Sequence, residues 1–158
     1  MNQIENAKTI KQFIINNTQG RWTTEERFIG AADRMFWVPR RNDLREILSR
    51  VPIGHHGDKG EVFDCDEYAC TLKSRLAFFA MSPEGQQKTG RRPVAGGVFW
   101  GKANWSDDVL HAGNWFVTRE NDLVWVEPQY NNKPAIDNGK NPIMGSGDLV
   151  SHLRMMLY

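Results

Sequence analysis

The stretch FDCDEYACTLKSRLAFF, residues 63–79, places a cysteine at the start of a predicted helix. Its apolar residues recur in steps of three and four, at Ala69, Leu72, Leu76 and Phe79. Such spacing puts them on one face of an α-helix, which can then pack against a core. Asp64 is a suitable N-cap, and the acids Asp66 and Glu67 are favoured in a first helical turn. The stretch therefore predicts a central helix that begins beside a thiol.

Cys65 occupies the first turn of that helix, where free backbone N–H groups and a partial positive charge point outward. Environments of this kind favour reactive thiolates. The plain alternative is that Cys65 is a small apolar residue at the start of a core helix. Cys70 lies five residues further on, which turns the two side chains to different faces and disfavours a disulfide between them. Unpaired cysteines fit a reducing compartment.

The composition is that of one globular domain. A chain of 158 residues can build a single core, and 40% hydrophobic with 25% charged residues is an ordinary balance for a folded protein. The net charge of +1 gives no basic excess for nucleic acid. No apolar run resembles a signal peptide or a membrane span. We therefore expect one domain over residues 1–158, cytoplasmic, with no nucleic-acid or membrane partner and no cofactor.

Helical patterns dominate the N-terminal part, residues 1–53. Apolar stripes with cap and stop residues predict three helices, within residues 4–18, 23–38 and 42–51. Glycines mark GHHGDKGE, residues 54–61, as a loop before the central helix.

Strand patterns follow a polar loop at residues 82–93. β-Branched and aromatic residues predict strands at residues 94–100, 110–118 and 123–127. Glu120-Asn121-Asp122 predicts a tight hairpin turn between the last two strands. Residues 131–147 are predicted as loop and residues 148–157 as a closing helix. Helices followed by an antiparallel sheet indicate the α+β class, with the cysteine helix packed on the sheet.

Two polar residues of this hairpin form a constellation with Cys65. His111 lies on the first arm and Glu127 on the second, and a hairpin centred on Asn121 makes them near neighbours on one face. A carboxylate at that position holds one imidazole nitrogen and leaves the other free to face a thiol. The alternatives are a buried histidine satisfied by the backbone and an ordinary edge-strand acid. Together the three residues offer a nucleophile, a base and an orienting acid.

These residues resemble those of the papain-like and transglutaminase-like cysteine enzymes. The matching stretches are Asp-Cys-Asp-Glu-Tyr-Ala at residues 64–69, His-Ala-Gly at residues 111–113 and Trp-Val-Glu-Pro at residues 125–128. Small papain-like domains with glutamate as the third member, one of them fused to a fungal lectin, are similar in their His-Ala-x-Asn and Glu-Pro-Gln segments. The resemblance covers residues 63–80 and 94–129, and it implies a papain-like catalytic core over residues 63–129.

The resemblance implies a cysteine-dependent hydrolase or acyltransferase that acts on an amide of a peptide or protein. Cys65 would attack the carbonyl carbon, His111 would protonate the leaving amine, and Glu127 would hold His111. Asn114 is a rival for the orienting role. The Cys65 backbone N–H would be one oxyanion donor. The candidates for a second donor are Lys59, Gln129, His55, His56 and Trp22. The tryptophans predicted to line the substrate site are Trp100, Trp105 and Trp115.

Two other functions stay open at this point. Cell-wall endopeptidases also begin a helix with Asp-Cys and a strand with His, although Asp66 and Glu67 depart from their usual Ser-Gly. The second alternative is a non-catalytic binding module on the same fold. A metal site at His55, His56 and Asp58 is disfavoured, because adjacent histidines rarely point the same way and a closed site needs three or four ligands. We therefore expect no metal.

Overall fold

The computed structural model describes residues 1–21, 28–30, 33–51, 64–103, 110–128, 143–144 and 150–157. The helices in this part of the chain are α1 (Ala7–Asn17), α2 (Arg41–Arg50), α3 (Cys65–Met81) and α4 (Pro83–Thr89). The strands are β1 (Ile4–Asn6), β2 (Phe28–Gly30), β3 (Met35–Trp37), β4 (Gly96–Ala103), β5 (Leu110–Val117), β6 (Leu123–Val126), β7 (Ile143–Met144) and β8 (Val150–Leu157). None of the described helices is long and apolar enough to cross a membrane.

The main sheet has six strands in the order β2-β8-β4-β5-β6-β7, and β1 pairs with β3 separately. All neighbours in the main sheet are antiparallel except β2 and β8, which are parallel. Helices combined with a mainly antiparallel sheet confirm the predicted α+β class. The extent of the domain, residues 1–158, stays a prediction.

Helix α3 begins at the predicted cap. The Asp64 carboxylate accepts a hydrogen bond from the Asp66 N–H at 3.2 Å, and the Glu67 carboxylate accepts one from the Asp64 N–H at 3.0 Å. This capping box satisfies N–H groups that a first turn would otherwise leave without partners. The buried face of α3 consists of Tyr68, Ala69, Leu72, Leu76 and Ala80. The cap fixes where Cys65 starts the helix, and the buried face fixes how the helix lies on the sheet.

Each face of the main sheet carries a buried cluster. The cluster on the α1 side includes Ile10, Ile14, Phe99, Trp115, Val117 and Trp125. The cluster under α2 and α3 includes Leu44, Leu48, Leu72, Leu76, Phe116 and Val124. Trp115 and Phe116, adjacent on β5, belong to different clusters, as the pleat of a strand requires. Because the sheet is covered on both faces here, β6 is buried at every position.

The predicted hairpin is confirmed. Strands β5 and β6 pair antiparallel, with Trp115 opposite Trp125. The turn between them contains Asn121 at φ +61°, a left-handed conformation that asparagine tolerates well. The Thr118 N–H donates to the Asp122 carbonyl at 3.0 Å and closes the turn. Helix α1 lies within the first predicted range, residues 4–18, and α2 begins one residue before the third, residues 42–51.

The predicted helix over residues 23–38 is wrong where the structure describes it. Residues 28–30 form β2, which pairs with β8, and residues 35–37 form β3, which pairs with β1. Trp37 also donates from its N–H to the Pro93 carbonyl at 2.9 Å and accepts from the Ala95 N–H at 2.8 Å. Pairing with distant segments thus outweighs a local apolar spacing that suited a helix.

Two further elements differ from the prediction. Residues 150–157 form strand β8 and not a closing helix, because they pair with β4 on one side and β2 on the other. The predicted polar loop at 82–93 contains helix α4, which has Pro83 in its first turn and the Ser82 hydroxyl accepting from the Gly85 N–H at 3.1 Å. The predicted loop at residues 54–61 lies outside the described residues.

Candidate functional site

Cys65 is the first residue of α3 and is partly buried. Its Sγ accepts a hydrogen bond from the Ala112 backbone N–H of β5 at 3.3 Å. It packs with Trp100 against a small cluster formed by Ala69, Val98 and Ala112. The start of α3 therefore meets β4 and β5 at this thiol.

His111 and Glu127 are in direct contact near Cys65. Asn114 pairs with Val126 in the sheet, so continuing this register sets Glu127 opposite Gly113 and makes His111 its diagonal neighbour. The His111 Nε2 and a Glu127 carboxylate oxygen form a short hydrogen-bonded ion pair. Their side chains are only 12% and 10% exposed, which limits screening of the pair by water. The hairpin thus holds an imidazole and a carboxylate together beside the thiol.

The charge of His111 follows from its surroundings. Burial by itself would lower the pKa of the imidazole, but hydrogen bonds to Cys65 and Glu127, together with their charges, outweigh burial and raise the pKa to about 9. His111 is therefore an imidazolium at neutral pH. It is a donor to both neighbours and carries the positive charge of this site.

Two acids at the helix start share a hydrogen bond. The side-chain hydrogen bond to Asp64, followed by burial, raises the pKa of Asp66 to about 6, and the same hydrogen bond from Asp66 lowers the pKa of Asp64. Asp64, Cys65 and Asp66 bring oxygen and sulfur atoms within 4.8 Å of one another. Because helix capping and the Asp64–Asp66 hydrogen bond already engage these carboxylates, we assign no metal to them.

This pairing of acids was not predicted from the sequence, in which Asp64 and Asp66 were expected only as a cap and a first-turn residue. The Asp-x-Asp spacing around Cys65 was the available signal, because a cap residue and the second residue after it lie within side-chain reach in a first turn. The role of the Ala112 N–H as a donor to sulfur carries no sequence signal, because any residue supplies a backbone N–H.

The other predicted site residues divide into three groups. Trp100 is partly exposed beside Cys65. Trp115 is completely buried and donates from its indole N–H to the Val98 carbonyl at 3.1 Å, so its predicted place in the wall of a substrate site is wrong.

Asn114 is also fully buried, and its amide donates to the carbonyls of Ala69 and Gly97, which ties α3 to β4. The contact to His111 comes from Glu127 instead. Outside the described residues lie Lys59, Gln129, His55, His56, Asp58, Trp22 and Trp105.

Comparisons with known proteins identify a shared fold. No family model and no curated protein matches this chain. Among solved structures, the PSL1a-E64 complex matches with a TM-score of 0.68 and 18% identity, covering 99% of this chain and 50% of that chain. Polyporus squamosus lectin bound to the human-type influenza-binding epitope Neu5Aca2-6Galb1-4GlcNAc matches with a TM-score of 0.65, at the same identity and coverage. The chain thus spans about half the length of these neighbours.

These neighbours correct the functional prediction. They are structures of a lectin and not of a papain-like peptidase. The predictions of a papain-like peptidase, a thiol hydrolase and a catalytic triad are therefore wrong, and the cell-wall endopeptidase alternative falls with them. A peptide or protein substrate is not supported either. The alternative that fits the neighbours better is a non-catalytic binding module, and the roles of Cys65, His111 and Glu127 stay predictions.

Proposed function

We propose that this chain is a non-catalytic binding module whose ligand is a neutral, hydroxyl-rich segment of a glycan. The observation that carries the proposal is the position of Trp100. Its partly exposed ring lies beside Cys65, on the cluster of Ala69, Val98 and Ala112 at the start of α3. An accessible aromatic face next to fixed polar groups is the usual composition of a small-ligand site.

The polar groups around Trp100 are arranged before any ligand arrives. His111 and Glu127 hold each other, and the Asp66 backbone N–H holds the Asp64 carboxylate at 3.2 Å. Groups that are already oriented lose little conformational freedom on binding, which favours affinity. The carboxylate oxygens of Asp64 and Asp66 can accept hydrogen bonds from sugar hydroxyl groups.

The charges at this site favour a neutral sugar. The lowered pKa of Asp64 keeps that group a carboxylate at neutral pH, whereas the one positive charge of the site, on His111, is already engaged by Glu127. An additional carboxylate, such as that of a sialic acid, would meet net negative charge. The lectin neighbour was solved with a sialylated trisaccharide whose other two sugars are neutral. We therefore assign the neutral disaccharide Galβ1-4GlcNAc to this chain as the probe of choice.

The test is isothermal titration calorimetry with Galβ1-4GlcNAc and with its α2-6-sialylated form. The variants are Trp100→Ala and, as a matched aromatic control, Phe78→Ala. Phe78 lies near the opposite end of α3 and is 69% exposed, so its removal changes neither the site nor the core. We expect the wild-type protein to bind the disaccharide more tightly than the sialylated form. Trp100→Ala should weaken binding by at least about tenfold, corresponding to about 1.4 kcal/mol, and Phe78→Ala should not.

Three results would overturn the proposal. The first is the absence of heat with either sugar at millimolar concentration. The second is equal loss of affinity in Trp100→Ala and Phe78→Ala, which would place the ligand elsewhere. The third is cleavage of an amide that depends on Cys65, which would show that the module is catalytic. Circular dichroism of each variant establishes that it is folded before its affinity is compared.

A further inference from the structure

The C-terminal end of α3 carries apolar side chains that the glycan site does not use. Phe78 and Met81 are 69% and 63% exposed, and they lie three residues apart, so they are neighbours on the helix surface. A single exposed apolar residue is ordinary on a protein surface, whereas adjoining ones beside a concave feature mark an interaction site. The concave feature here is a groove that begins at Phe78.

The groove has a volume of about 310 Å³ and lies between the end of α2, the end of α3 and the start of α4. This volume is at the lower end of the range for binding pockets, so it suits one large apolar side chain and its neighbours. The apolar part of the lining includes Val51, Phe78 and Phe79, and the charged part consists of Arg50, Arg75 and Glu84. We refer to this groove, together with Met81, as the α3-end surface.

Arg75 is the unmatched charge of this surface. It is exposed, and within the part of the chain that the structure describes it has no hydrogen-bond or ion-pair partner. The positions three and four residues away on α3 are Thr71, Leu72, Phe78 and Phe79, so its own helix offers no acid to pair with it. A carboxylate that a ligand brings to the groove would therefore supply the missing counter-charge.

The other charges at the groove already compensate one another. Arg50 forms ion pairs with Glu46 at 2.7 Å and with Glu84 at 2.9 Å, and Lys88 forms one with Glu46 at 2.9 Å. Two bases thus face two acids, and Arg75 leaves the α3-end surface with one positive charge. Such a surface favours an acidic partner and disfavours a basic one.

We infer that the α3-end surface docks an acidic amphipathic helix of a partner protein, which places a large apolar side chain in the groove and a carboxylate on Arg75. None of the described residues that line the groove belongs to a strand. An extended segment would find no strand edge there to pair its backbone N–H and C=O groups, whereas a helix satisfies these groups internally. The inference goes beyond glycan binding and does not depend on it.

The charge of the surface disfavours two other occupants. A second copy of this chain, paired through a two-fold axis, would bring two surfaces of the same positive charge together. A membrane of anionic lipids binds clusters of several basic residues, whereas Arg75 is the one base at this groove without an acid in the described part of the chain. Both occupants are outcomes that the experiments below distinguish.

The first experiment measures binding of designed peptides to the intact protein by fluorescence anisotropy. The probe is a fluorescein-labelled helical peptide of about 20 residues. It has leucines spaced three and four residues apart on one face, glutamates beside them, and alanine and glutamine elsewhere. A second peptide has lysine at each glutamate position, and a third has the composition of the probe in scrambled order. We expect the glutamate peptide to bind at least about tenfold more tightly than either control peptide.

Substitutions on the protein test the apolar contact. Phe78→Ala should weaken binding of the glutamate peptide by at least about tenfold. Met35→Ala, which truncates an exposed apolar residue on β3, is the control and should leave the affinity unchanged. Trp100→Ala should also leave it unchanged, because Trp100 lies at the other end of α3, beside Cys65.

A charge reversal tests the role of Arg75. Arg75→Glu should weaken the glutamate peptide by at least about tenfold and strengthen the lysine peptide, a reversal of preference that a folding defect does not produce. Lys11→Glu reverses an exposed charge on α1, which covers the opposite face of the main sheet, and it should leave the preference as in the wild type.

Three results with the peptides would overturn the inference: no binding of the glutamate peptide at about 1 mM, equal affinity for the glutamate and lysine peptides, or unchanged affinity in Phe78→Ala. Two further measurements assign the surface to another occupant and overturn it as well. One is self-association in sedimentation velocity that Phe78→Ala abolishes, which indicates a second copy. The other is binding to phosphatidylserine vesicles that Phe78→Ala abolishes, which indicates a membrane. Failure of the protein to bind Galβ1-4GlcNAc would refute the proposed function alone, because the peptide results do not depend on it.

Discussion

Replacing Glu127 by glutamine should change how the stability of this protein depends on pH. Glutamine keeps the size of the side chain and one oxygen acceptor, but it removes the negative charge that faces His111. The carboxylate is one of the groups that raise the pKa of His111 from 6.5 to about 9. Without it, the folded protein holds the histidine proton less tightly.

The magnitude follows from the two pKa values. A rise of about 2.5 pKa units corresponds to about 3 kcal/mol at 1.36 kcal/mol per unit. Because the pKa of His111 is higher in the folded state than in the unfolded chain, folding and protonation favour each other. This contribution is fully present below about pH 6.5, decreases as the pH rises, and is lost above about pH 9.

Urea denaturation at a series of pH values between about 5.5 and 10 measures this contribution as the free energy of unfolding. We expect His111 to lower the wild-type free energy of unfolding by about 3 kcal/mol over this pH range. The fall should be smaller in Glu127→Gln, because Glu127 is one of the two groups that raise the pKa of His111. Glu84→Gln removes an exposed carboxylate that pairs with Arg50, and its profile should run parallel to the wild type. Parallel profiles for wild type and Glu127→Gln would refute the reasoning.

Three other substitutions test the packing that holds the site. Gly96→Ala would place a Cβ 2.1 Å from the Phe116 ring, so it should cost about 1–3 kcal/mol in urea denaturation, and an unchanged midpoint would contradict the close approach. Asn114→Ala removes both donors that tie α3 to β4 and should cost about 1–3 kcal/mol, whereas a neutral result would show that the tie contributes nothing. Asp64→Ala removes the cap of α3 and should lower stability by about 0.5–2 kcal/mol, measured by thermal melting. Because asparagine also caps well, Asp64→Asn should keep most of the wild-type stability, and an equal loss in both variants would contradict capping as the cause.

Local sequence patterns predicted correctly those helices and strands whose own residues determine their structure. Helix α3 carries its cap, its capping box and its apolar face within 17 residues. The β5–β6 hairpin has its turn residues between two apolar strands, so its pairing is also a short-range property. Strands β3 and β8 were missed because their stability depends on pairing: β3 pairs with β1, and β8 pairs with β4 and β2. Each of these partners is distant in sequence or carries no local signal of its own.

The candidate site divides in the same way. Hairpin register, which is a local property, placed His111 and Glu127 close enough for the contact that the structure contains. The prediction for Trp115 failed because the sequence does not say which face of β5 is covered by α1, and Trp115 lies on that covered face. The function was predicted wrongly because three residue types in a suitable order do not specify what the surface around them accepts.

The sequence by itself determined that a helix starts at Cys65, that a hairpin carries His111 and Glu127, and that the fold is of the α+β class. These features depend on caps, turns and periodicity, which act over a few residues. Only the tertiary structure decided that Trp100 stays accessible while Trp115 is buried, and that the Ala112 N–H and the His111 imidazolium converge on one sulfur atom. Burial, and through it the charge of His111, depends on which elements cover which face, because the energy of a charge is set by everything packed around it.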